Sequence, residues 1–201
     1  MDKPYKYIIG IDEVGRGPIA GPVAVCAFLI KDTAILENQK DKKLPKLKDS
    51  KKLSKKQREV WFEYLKVAKT EGFCDFSVSF VSSENIDKFG INKCIQKALN
   101  ESLKKVTAPE IIEFKIFLDG GLHAPVEYIN QETVIRGDEL HPVISMASII
   151  AKVMRDRVMD NFAKKYPEYG FENHVGYGTK AHYDAIKKHG QTPIHRKTFI
   201  H

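Results

Sequence analysis

Residues 7–29 read YIIGIDEVGRGPIAGPVAVCAFL, and the rest of the chain is interpreted from this stretch. Ile8, Ile9 and Ile11 make one short apolar run of strand character, and Val23 to Leu29 make a second. Between them stand Asp12 and Glu13, followed at once by Gly15, Gly17 and Pro18, residues that interrupt a ladder. The first strand is therefore expected to stop at the acids, which puts charge at a sheet edge. Neighbours in a strand point to opposite faces, so the two carboxylates can converge only if the chain already turns at Glu13. An ordinary acidic pair on a solvated turn is the competing reading. Gly15-Arg16-Gly17 is equally open, since glycine serves simple turns and close backbone approach to a ligand alike. It is neither a P-loop, which needs a following Gly-Lys-Ser or Gly-Lys-Thr, nor a GxGxxG turn.

The same punctuation recurs twice. Phe114 to Leu118 is a short buried strand that runs into Asp119-Gly120-Gly121, and Thr133-Val134-Ile135 leads into Arg136-Gly137-Asp138. Asp12, Glu13, Asp119 and Asp138 thus hold equivalent places at strand ends. If those ends meet, four carboxylates crowd together, which is tolerable only with protonation or with cations. Hard oxygen ligands suit Mg²⁺ or Mn²⁺, and two such ions can activate a water and stabilise the leaving oxygen in phosphodiester hydrolysis. Four independent surface acids are the alternative.

Elsewhere the pattern alternates between helix and strand. Ser54 and Gln57 form a capping box ahead of a helix whose apolar face carries Val60, Trp61, Tyr64, Leu65 and Ala68. Phe73 to Val81 has period two and reads as a half-exposed strand. A helical region opens at Ser82-Ser83, and Ile91, Cys94, Ile95, Ala98, Leu99, Leu103 and Val106 then give a 3.6-residue stripe. Pro142 suits the N-terminus of a long helix to Ala163, in which Ala147, Ser148 and Ala151 allow close packing on a sheet. Lys164 to Asn173 reads as a loop. A last helix runs from its cap Thr179 to His189, stopped by Gly190. The expected architecture is one α/β domain over residues 1–201, with a small helical C-terminal addition over about 165–201.

The chain has 201 residues, 42% of them hydrophobic, and a formal net charge of +7. No apolar run approaches the ~20 residues that span a bilayer, and the N-terminus lacks a signal-peptide core, so a cytoplasmic protein without membrane contact is expected. Cys26, Cys74 and Cys94 are widely spaced within apolar patterns and read as small buried hydrophobes. From Lys40 to Lys56 lysine is dense and only Asp41 and Asp49 oppose it. This is either a solvated loop or a surface that neutralises phosphates. His174, His182, His189 and His195 lack zinc-finger spacing and read as solvated or capping histidines.

Seven segments together resemble the bacterial ribonuclease HII family, the type 2 ribonucleases H. They are GIDEVGRGPIAGPV at Gly10–Val23, DSKKLS at Asp49–Ser54, LDGG at Leu118–Gly121, Gly137-Asp138, ASIIAKVMRDR at Ala147–Arg157, GYGTKAH at Gly176–His182 and HRKTF at His195–Phe199. They occur in the family's order and cover nearly the whole chain. The resemblance implies a ribonuclease H-like fold, a mixed five-stranded sheet flanked by helices. It also implies cleavage of RNA paired with or joined to DNA.

By matching position, Asp12, Glu13, Asp119 and Asp138 would be the metal-binding catalytic carboxylates. Gly15, Arg16 and Gly17 would read the ribose 2′-hydroxyl, largely through backbone groups, in keeping with the use of that hydroxyl to tell RNA from DNA. Tyr177 would pack on the sugar after the ribonucleotide, and Ser50, Lys51 and Lys180 would meet phosphates. Lys152 and Arg155 instead suit anchorage of their helix. Gly121, Met146 and Val175 depart from the residues common in the family, and none of the three replaces a carboxylate. The expected substrates are RNA/DNA hybrids and DNA containing ribonucleotides, acted on by a monomer. Gln191 to Ile200 has a glutamine and Phe199, spaced too poorly for a clamp-binding motif. The rivals are a type 3 ribonuclease H, against which Arg16 and the early first strand argue, and a catalytically silent nucleic-acid binder, against which all four acids argue.

Overall fold

The structure is a computed structural model and describes residues 5–31, 44–107 and 113–201. Of the lysine-dense run from Lys40 to Lys56, residues 40–43 thus lie outside the described residues. Five strands form one sheet in the order β3-β2-β1-β4-β5. They are β1 Tyr7–Val14, β2 Val23–Ile30, β3 Cys74–Val81, β4 Phe114–Asp119 and β5 Gln131–Val134. β2 runs antiparallel to both β1 and β3, while β4 pairs in parallel with both β1 and β5. This is the mixed five-stranded sheet expected.

Helices cover both faces. Helix α1, Lys55–Thr70, starts with the expected capping box, in which Ser54 accepts from the Gln57 amide and Gln57 accepts from the Ser54 amide. A short helix α2, Ser83–Phe89, precedes α3, Ile91–Val106, whose stripe from Cys94 to Val106 is buried against Ile9, Ile11, Val25 and Leu118. A four-residue turn α4, Gly137–Leu140, leads into the long helix α5, Pro142–Lys165. α5 and α1 cover the other face, packing Ile144, Ala147, Ile150 and Trp61 on Cys26 and Phe28. Gly10 marks where α5 presses hardest on β1, because a side chain there would strike the backbone of Val143 and Ile144. All three cysteines are buried and free, as the sequence suggests.

Three expectations are corrected. β1 continues to Val14, with Asp12 opposite Cys26 and Glu13 opposite Val25, so the chain does not turn at Glu13. β3 is not half-exposed at its end, because α3 covers Ser79 and Val81 while Cys74, Phe76 and Val78 pack toward α1 and α5. Residues 164–173 are not a plain loop: they hold a 3-10 turn at Pro167–Tyr169 and the start of a short helix α6, Phe171–His174. The last helix α7, Lys180–His189, is capped by Thr179 and ends at Gly190 as expected. Around it Tyr169, Phe171, Met159, Ile194 and Ala20 form a separate small core that ties the C-terminal segment to the turn after β1.

Candidate active site

The site lies at one end of the sheet, where β1 and β4 stop side by side. Asp12 points to the α5 face: its carboxyl is hydrogen-bonded by Ser148, whose hydroxyl lies 2.8 Å from that of Ser50. Glu13 points the other way, with Arg16 Nη1 at 3.5 Å from Oε1 and Arg16 Nη2 donating to Asn92 on α3 at 2.8 Å. Both still line one cleft of about 440 Å³, together with Asp119, Gly15, Gly17 and Tyr177. The cleft opens across the end of the sheet, so groups from both faces reach it.

Asp119 and Asp138 are brought together by local backbone chemistry. Asp119 Oδ1 accepts the Gly137 amide at 2.7 Å and the Asp138 amide at 3.4 Å, which caps the first turn of α4. Asp138 is therefore held on a helical turn, not at a strand end, because β5 already stops at Val134 and Ile135 is exposed. Arg136 takes the left-handed conformation with φ 56° that makes this corner. Ser145 Oγ donates to the Asp138 carbonyl at 2.6 Å and fixes the turn on α5.

The electrostatics follow from burial. Asp12 is 5% exposed; burial lifts its carboxyl well above the usual range, and Glu13, Asp119 and Asp138 add to this against the Ser148 hydrogen bond. Burial also raises Glu13, opposed by Arg16. Asp138 is pushed up to about 6 by burial, then by Asp119 and Asp49, with Lys51 pulling the other way. Lys51 Nζ stands 3.9 Å from Asp138 Oδ2. Burial lowers this lysine, but Asp138, Asp49, Asp12 and Asp119 outweigh it and hold the ammonium above its usual value.

Among the described residues no three histidine, cysteine or acidic side chains are already drawn into a single metal-binding group. The donor chemistry nevertheless fits a hard divalent cation. The candidate donors are carboxylate oxygens only, and the burial and mutual repulsion that raise the proton affinity of Asp12, Glu13 and Asp138 are what a bound cation would offset.

The remaining expected residues are distributed unevenly. Tyr177 is 48% exposed and stands by Gly17 at the cleft wall. Lys51 lines the cleft, and Ser50 does so with its hydroxyl turned inward to Ser148. Lys180 does not: it is exposed at the start of α7, with Nζ 2.6 Å from Asp184. Lys152 and Arg155 also border the cleft; Lys152 pairs with Asp156 on its own helix at 2.7 Å and so does not tie that helix to the sheet, and Arg155 anchors the helix to turn segments instead of to the sheet.

Sequence reasoning missed the supporting layer behind the turn. Arg155, wholly buried, donates to the carbonyls of Pro22 at 2.9 Å, Val175 at 3.0 Å and Ala20 at 3.3 Å. Arg196, also wholly buried, donates to Gly15 at 2.7 Å, Gly21 at 2.9 Å and Arg16 at 3.1 Å. The reading of the histidines as solvated or capping is corrected for His182 and His195, which are 0% and 2% exposed. The Thr192 amide donates to His195 Nδ1, the two Nε2 atoms lie 3.0 Å apart, and His182 Nδ1 lies 2.9 Å from the Tyr177 carbonyl. A carbonyl only accepts, so His182 carries its proton on Nδ1 and takes the His195 Nε2–H on Nε2. Both rings are thereby neutral.

The comparisons bear on the whole of this arrangement. The family model for ribonuclease HII matches residues 9–201. A ribonuclease HII of Endomicrobium trichonymphae is 44% identical over 200 residues, covering 98% of this chain and 87% of that protein. The ribonuclease H2 of Pyrococcus horikoshii OT3 superposes with a TM-score of 0.69 at 27% identity, over 96% of this chain and 93% of that one. A structure of the PCNA:RNase HII complex from Archaeoglobus fulgidus gives 0.72 at 26% identity, over 96% and 95%. In the present chain Phe199 packs on the core beneath Arg196, whose guanidinium carbon is 5.2 Å from the ring centre. With the sequence match running along almost the entire chain and the fold agreeing over the same span, the chain belongs to the ribonuclease HII family of endoribonucleases.

Proposed function

We propose that the chain hydrolyses the RNA strand of RNA/DNA hybrids and nicks duplex DNA on the 5′ side of a single embedded ribonucleotide, a step in ribonucleotide removal. One observation carries this reading: three of the four acids share a cleft with Gly15, Arg16, Gly17 and Tyr177, and Lys51 in that cleft faces the fourth, Asp138. Carboxylates for hydrolysis and backbone for ribose recognition thus sit within one nucleotide's reach.

Asp12, Glu13, Asp119 and Asp138 would hold two Mg²⁺ or Mn²⁺ ions. When bound, such ions lower the pKa of water and neutralise charge on the phosphate and the leaving oxygen. The chain's own groups orient the reaction. Ser148 and the Glu13 amide, which donates to Asp12 Oδ1 at 2.8 Å, hold the Asp12 carboxylate in place. The Gly137 amide does the same for Asp119. The amides of Gly15 to Gly17 meet the 2′-hydroxyl, and the Tyr177 ring packs on the following sugar. Lys51 at the cleft wall would meet the adjacent phosphate, with Ser50 beside it, and Lys180 would attract the duplex from farther off. Attack by water on the phosphate 5′ to the ribonucleotide breaks the bond to the preceding 3′ oxygen, which leaves a 3′-hydroxyl and a 5′-phosphate.

A nicking assay on duplex DNA with one ribonucleotide, run with Mg²⁺, with Mn²⁺ and with chelator, tests this. Metal-dependent cutting on the 5′ side is expected. Cutting of a long hybrid but not of this duplex would replace the reading with a type 3 activity, and binding without cutting would reduce it to a silent binder.

A further inference from the structure

The turn that faces the cleft is held from behind by the other end of the chain. Arg196 lies 181 residues from Gly15 and 180 from Arg16, yet its guanidinium takes both of their carbonyl oxygens, and that of Gly21 as well. The backbone beside it fixes its place. The Arg196 amide donates to the Ile19 carbonyl at 2.8 Å, Gly21 donates to Ile194 at 2.8 Å, and Ala20 and His195 form an isolated antiparallel bridge. On the exposed side Asp87 accepts the amides of Lys197 and Thr198 at 2.9 and 3.0 Å.

The direction of these bonds has a geometric consequence. The described residues contain no cis peptide, and in a trans peptide the N–H points opposite to the C=O. With the Gly15 and Arg16 carbonyls turned inward to a buried guanidinium, the next amides, those of Arg16 and Gly17, must point outward. Both residues are exposed, both line the cleft, and neither amide donates to an acceptor among the described residues. Two successive free N–H groups of this kind form a small electropositive concavity. A cation at the carbonyl ends of both peptides polarises them further and strengthens each as a donor.

We propose that Arg196 is a positioning residue that aims and polarises the Arg16 and Gly17 amides toward the ribose 2′-oxygen, and so sets the preference for a ribonucleotide over a deoxyribonucleotide. This rests on the proposed reading of Gly15 to Gly17 as the ribose-recognising turn. Arg196 touches no substrate. A lysine at the same place keeps the charge but has no planar fork with which to hold three carbonyls in fixed directions.

The test is equilibrium binding with Ca²⁺ in place of the catalytic metal, to a duplex with one ribonucleotide and to the all-DNA duplex of the same sequence. Wild type should favour the ribonucleotide duplex, and Arg196→Lys should lose most of that preference, a drop of roughly tenfold, with affinity for the all-DNA duplex unchanged. A purely structural role would lower both affinities together, and a retained preference in folded Arg196→Lys would overturn the inference. If that variant does not fold, Asp87→Ala loosens the segment carrying Arg196 from the solvent side and should lower the same ratio several-fold; an unchanged ratio there overturns it equally. Failure of the underlying reading looks different, because wild type itself would then show no preference.

Discussion

Two regions a few residues apart bury charge of opposite sign and resolve it in opposite ways. At the sheet end Asp12, Glu13 and Asp138 are buried with too few cations, so all three hold their protons more tightly than free carboxylates. Behind the glycine turn Arg155 and Arg196 are buried with no carboxylate in ion-pairing distance among the described residues. Burial lowers them to about 10 and about 9, which still leaves both charged at neutral pH. Backbone carbonyls take the place of the missing anions there, three for each guanidinium. The lesson is that the arginine layer has its charge met by its own backbone and can act as scaffold, whereas the acidic layer keeps an electrostatic cost that the proposed metal ions would relieve.

The largest effect should come from the acidic side. Asp138→Asn is expected to lower turnover on the order of 10³-fold, while the thermal midpoint of metal-free protein stays level or rises because a repulsive charge is gone. A large fall in that midpoint would mean that Asp138 is a structural acid, and the contrast would collapse. The arginine side should show the reverse. Arg155→Met orphans three carbonyls at ~1–3 kcal/mol each, so urea unfolding should show a loss of at least ~3 kcal/mol. A neutral result would show that water satisfies those carbonyls.

A smaller effect is expected at the wall between the two layers. Tyr177→Ala should slow nicking at a single ribonucleotide roughly tenfold, and cutting of a long hybrid by less, with stability changed by no more than ~0.5 kcal/mol because the ring is half exposed. Equal losses on both substrates would argue against a role at the junction.

The smallest effect is a pair of opposed pH slopes. Asp138, raised to about 6, binds its proton more tightly folded than unfolded; its contribution is full below about 4 and is lost as pH rises through about 6. His182 is lowered to about 4 by burial, against the pull of the Tyr177 carbonyl. It binds its proton less tightly folded, so its contribution is present above about 6.5 and is lost as pH falls toward about 4. In chelator, the stability of Asp138→Asn relative to wild type should therefore improve from pH 4 to 7. The disadvantage of His182→Gln should shrink as pH falls over the same range. Parallel slopes would show that the two layers are not electrostatically opposed.

Much of this molecule was legible in the order of its residues. The capping box at Ser54, the apolar stripe of α3 and the buried cysteines are local patterns, and local patterns are what periodicity and capping record. The acids could be picked out because each stands beside or close to a glycine just past an apolar strand-like run, a pattern repeated three times along the chain. Tertiary structure alone decided how they meet. Asp12 and Glu13 leave opposite faces of an unbroken strand and share a cleft only because it spans the sheet's end. Asp138 comes to Asp119 on a helical turn that Asp119 itself caps. The grip of Arg196 on Gly15 and Arg16 left no local trace in the sequence. Its partners are backbone carbonyls, which every residue carries, and only the folded path of the chain determines which of them a guanidinium reaches.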